Sequence, residues 1–137
     1  GAYYIVNGVL IAALLSIAIR PKNAPIRRWL PKLGGGALIS LVISAVFLIE
    51  VAAPKLLGLP FHHCPYDLIA AAPEGVVSMV LFMSGCFAVG WACTLGVFAH
   101  NRETASFLNH FIHTVLVVAL FGYFSSLVMM SIAMVLA

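Results

Sequence analysis

From Gly75 to Ala99 the chain carries no charged residue. A helix rises about 1.5 Å per residue, so roughly 20 apolar residues cross the hydrocarbon core of a bilayer. A stretch of this length and character is built for lipid. The remainder of the sequence repeats the pattern. Hydrophobic residues make up 64% of the 137, charged residues 8%, and soluble domains carry about a quarter charged residues. So few charges do not cover a water-facing surface. The fold class expected is therefore an all-α integral membrane bundle, read as one domain over residues 1–137.

The apolar stretches predict about four spans: 2–19, 33–54, 75–99 and 110–137. The first opens with Tyr3 and Tyr4, placed as interface anchors, and ends at Arg20-Pro21. The second opens on Gly34-Gly35-Gly36, which is weak helix-forming sequence. Between the second and third spans, Leu56 to Glu74 is apolar but broken by Gly58, Pro60, Pro65 and Pro73. It reads as an ordered interfacial loop. Pro65 is placed to start a short helix over Tyr66 to Ala72. The first span is too long and too well retained for a cleaved signal, and the missing initiator Met implies a trimmed or incomplete N-terminus.

Arg20, Lys22, Arg27, Arg28 and Lys32 put most of the positive charge in the linker over residues 20–32. The positive-inside bias places that linker in the cytoplasm. The loop over residues 56–74 and both termini are then outside, and His100 to His113 inside. A bacterial or archaeal plasma membrane is the expected setting. The net charge of +3 is too small and scattered for nucleic acid. Three cysteines without a CxxC indicate no disulfide framework. There is no phosphate loop, nucleophile elbow or HExxH, so no self-contained catalytic motif is present. At most the chain is a subunit of a membrane oxidoreductase.

Four groups of residues can carry chemistry. His62, His63, Cys64 and Asp67 fall within six positions. Imidazole and thiolate ligate copper, zinc or iron. Cys64 would cap the short helix, where a thiolate is favoured. Asp67 would orient a histidine ring. The competing account is a polar loop at the membrane surface. Second, Met79, Met83, Cys86, Cys93 and His100 fall within an arc under about 110° on the third span, at 100° per residue. Soft sulfur on one face suits Cu(I), while Met and Cys are also ordinary apolar fillers. Gly85, Ala88, Ala92 and Gly96 form a separate face on which helices can approach closely.

Third, His100, His110 and His113 lie near the inner interface. His110 and His113 are three apart and share a helix face, which suits axial ligation of haem as well as a plain interfacial role. Fourth, Glu50 is a carboxylate near the end of a span, where a functional role competes with pairing to Lys55. Deeper in the span it would serve proton transfer in quinol chemistry or transport. Asn7, Ser40, Ser44, Ser78 and Ser126 read as helix cross-links, and Met129, Met130 and Met134, toward the outer end of the last span, as core ahead of an extension of the soft sulfur site.

Two functions follow as expectations. One is a subunit of a larger membrane complex, or a homo-oligomer, that binds or passes a transition metal, copper above others. The alternative is a haem- or quinone-associated anchor subunit of a respiratory or oxidase complex, or a purely structural membrane subunit.

Overall fold

A computed structural model describes residues 1–21, 26–58, 61, 64–98 and 105–137. Every element among them is helical. They are α1 (Ala2–Ala18), a 3-10 turn (Ile26–Arg28), α2 (Leu30–Phe47), a π turn (Leu48–Ala52), α3 (Ala53–Leu57), α4 (Pro65–Ala71), α5 (Pro73–Phe98) and α6 (Ala105–Leu136).

The π turn has a cause in the sequence. Pro54 has no N–H to offer the carbonyl of Glu50, and its ring would crowd that carbonyl. Widening the helix over Leu48–Ala52 relieves the conflict without breaking the rod. Leu30–Leu57 therefore continues as one helix of 28 residues. It stops at Gly58, whose φ of 64° is a left-handed conformation that glycine tolerates best.

Among the described residues three helices are long and apolar enough to cross a membrane: Leu30–Leu57, Gly75–Phe98 and Phe107–Leu136. The fourth apolar helix, α1, has 17 residues. That is the lower end of spanning length. α1 packs on α2 and α6, and α5 packs on α2 and α6, so the four helices close a ring. Tyr3 meets Phe47, Ser78 meets Ser126, and Cys93 meets Leu30. These pairings run the helices alternately up and down. The N-terminus, the turn at Gly58, α4 and the C-terminus share one end. The 3-10 turn, the end of α5 and the start of α6 share the other, called here the basic end.

Lipid offers apolar side chains as good a solvent as a neighbouring helix does, so small residues and hydrogen bonds must hold the ring. Both are present. Asn7 is buried between α1 and α2. Its Nδ2 donates to the Tyr3 carbonyl at 2.9 Å and to Ser44 Oγ at 3.2 Å. Its Oδ1 accepts from Ser40 Oγ at 2.8 Å. Between α5 and α6, Ser78 Oγ donates to the Ser126 carbonyl at 2.9 Å and Ser126 Oγ to the Ser78 carbonyl at 2.8 Å. One helical step along that seam, a Cβ on Gly122 would lie 3.0 Å from the Leu81 carbonyl oxygen and 3.2 Å from Gly85 Cα. Only glycine permits that approach.

The glycines at 34–36 lie inside α2 rather than weakening its start. Pro31 fits the first turn, where its missing N–H costs nothing. Gly34 makes room for Cys93: a Cβ there would sit 3.1 Å from its Sγ. The short helix in the loop is found at Pro65–Ala71, with Cys64 at its N-cap in extended backbone.

Candidate functional site

A cleft of about 220 Å³ lies between α2 and α5, toward the end that holds the termini. Its origin lies in the uneven α2–α5 seam. At the basic end the two helices are tight: Cys93 Sγ donates to the Leu30 carbonyl at 3.2 Å, and Gly96 faces the Leu30 side chain. Toward the other end Leu41 and Ala45 of α2 and Leu48 of the π turn stand off from Met79, Phe82 and Met83 of α5, and the cleft fills the gap. Ser44, Ser78, Ser126 and Met130 also line it, with Tyr3 and Phe47. Those two rings are stacked at 4.1 Å and 9°. No lining residue is charged.

Tyr3 is 5% exposed, and its hydroxyl makes no hydrogen bond among the described residues. The hydroxyl of Ser44 accepts from Asn7 and donates to no described group. The cleft thus presents thioethers, an aromatic wall and hydroxyls with capacity to spare.

The sulfur stripe on α5 is a real face of the helix, lying along its border with lipid. Met79, Cys86 and Cys93 are half-buried and Met83 is 55% exposed. The stripe does not converge on one point. Met79 and Met83 line the cleft. Cys86 turns toward α6, where its sulfur accepts the Tyr123 hydroxyl at 3.1 Å. Cys93 is engaged with α2. Met130, read as core from the sequence, joins Met79 and Met83 in the cleft lining. Its α6 position fits that placement only once the α5–α6 register is known. The small-residue face is buried as expected: Ala88 and Ala92 lie in the core, and a Cβ on Gly85 would press the Tyr123 ring at 3.0 Å.

Of the loop group, Cys64 is half-buried and Asp67 exposed; His62 and His63 lie outside the described residues. Of the inner histidines, His100 also lies outside them, His110 is exposed, and His113 is buried. The two described histidines therefore differ in environment despite their spacing. His113 Nε2 has no hydrogen-bond partner among the described residues. Glu50 sits exposed in the π turn. The Lys55 ammonium, its expected partner, donates to the Met134 carbonyl at the end of α6. Among the described residues no group of three or more His, Cys, Asp or Glu side chains is placed to hold a metal ion.

Fold and surface together define the class: an all-α integral membrane bundle with a lipid-level cleft. No family model matches the chain, and no curated protein or solved structure is significantly similar to it.

Proposed function

We propose that this protein is a membrane-embedded binder of a soft transition-metal ion, Cu(I) in first place, working beside other membrane subunits. The observation that supports this reading most is the joint lining of one cleft by Met79, Met83 and Met130. Thioethers are neutral, polarizable donors. They select Cu(I) over hard divalent ions, which need carboxylate or carbonyl oxygen. A monovalent ion also loses less hydration on entering an apolar cleft than a divalent one. The cleft lies toward the end of the bundle that carries Cys64, a further soft donor. Cys86 and Cys93, engaged elsewhere, serve the packing of α5.

The test is copper content under reducing conditions. Detergent-extracted protein loaded with Cu(I) should retain it through desalting. Leucine matches methionine in volume and removes only the sulfur. M79L/M83L/M130L should therefore fold and lose the ion. Unchanged copper in that variant sinks the proposal.

A second reading has its own observation. An unpartnered buried imidazole nitrogen costs about 1–3 kcal/mol. His113 Nε2 carries that cost in a span of a membrane protein. Axial ligation of haem, or of another metal held with a partner subunit, would remove it. A Soret band in the gently extracted complex, absent in H113A, supports this reading. A complex that holds neither haem nor another bound metal removes it.

A further inference from the structure

We propose that the outer groove between α1 and α2 is a binding site for one anionic phospholipid. The groove holds about 290 Å³. Ile5, Val9 and Ala13 of α1 form one wall, and Leu33, Gly36 and Ile39 of α2 the other. From Ile5 to Ala13 the wall runs about 12 Å along the helix. It offers nothing to a polar ligand and suits an acyl chain.

The polarity is confined to one end, where Trp29 and Lys32 complete the lining. The Trp29 ring collects two cations there. The Arg20 guanidinium carbon lies 5.1 Å from the ring centroid, and so does the Lys32 ammonium nitrogen. Neither is ion-paired among the described residues. Arg28 is exposed in the adjoining 3-10 turn. Three of the four acidic residues, Glu50, Asp67 and Glu74, belong to elements at the opposite end. An apolar trough that ends in clustered positive charge at an interfacial tryptophan is complementary to a one-headed amphiphile with a negative headgroup. A second copy of this chain seated in parallel on the same face would bring like charges together, which disfavours it as the occupant.

The experiment compares three probes on the intact protein in neutral detergent: phosphatidylglycerol, phosphatidylcholine with the same acyl chains, and inorganic phosphate. Lipid retained in native mass spectra and the thermal unfolding midpoint are the readouts. Phosphatidylglycerol should bind about tenfold or more tightly than phosphatidylcholine and raise the midpoint, and free phosphate should do neither. The double variant R20Q/K32Q should bring phosphatidylglycerol down to the phosphatidylcholine level. V9W, which fills the trough from an exposed position, should displace lipid while leaving the charges in place. Equal binding of the two lipids, full retention by R20Q/K32Q, or protection by phosphate alone equal to that of phosphatidylglycerol overturns the proposal.

Discussion

Asn7 illustrates how a single side chain holds two helices together in lipid. Its amide is saturated by three partners, two of them on α2. Replacing it by Ala leaves the Ser40 hydroxyl without its acceptor and cuts the α1–α2 tie. Interhelical hydrogen bonds in membranes are worth about 0.6 kcal/mol on average and up to about 1.7. N7A should therefore destabilise the bundle by about 1–2 kcal/mol, read from unfolding in mixed micelles; a change indistinguishable from zero would show that α1 is held by packing alone. Glycines offer a matched contrast. Gly85 lies against the Tyr123 ring, so G85V should separate α5 from α6 and lower stability by about 2 kcal/mol or more. Gly90 has nothing within 4 Å of the Cβ position and lies on the exposed side of α5. G90A should be neutral or slightly stabilising, because Ala is the better helix former by about 1 kcal/mol.

At the scale of elements, much of the organisation is legible in the sequence. The uncharged run after Gly75, the proline at position 65 and the small-residue face of α5 each correspond to an observed feature. The reason is that hydropathy and backbone chemistry are local. What escaped is the pairing between helices. Nothing at positions 34–36 announces that glycine there admits Cys93, and nothing at Met130 announces that it faces Met79 and Met83. Those facts depend on register, which short-range pattern does not encode. Met79, Met83, Cys86 and Cys93 share one arc of α5, yet a single arc still faces two neighbours. Cys86 met α6 and Cys93 met α2. A direct check follows: a membrane-impermeant thiol reagent should modify Cys64 in intact vesicles or cells well before Cys86 and Cys93, which reach it only after unfolding. Equal rates for all three would contradict the placement of Cys64 outside the apolar layer.

On the scale of the whole molecule, alternating helices bring both termini to one side. Reporter fusions at Gly1 and Ala137 should give the same sidedness, opposite to a reporter in the linker that follows Ala18. Discordant termini would mean that α1, the short helix, does not cross. The same fusions decide which side of the membrane that is.

The uneven α2–α5 seam has a mechanical consequence. Fastened near Cys93 and Leu30 and parted beside Met83, the two rods stand as a wedge with its narrow end at the basic end. A tilt of α2 about its fastened end would change the width beside Met83 more than the width beside Cys93. Spin labels on Val46 and Val80, both exposed, should report a broader separation than labels on Gly35 and Trp91, which are exposed beside the fastened end, and an occupant in the cleft should narrow it; equal widths at both levels would show a rigid seam.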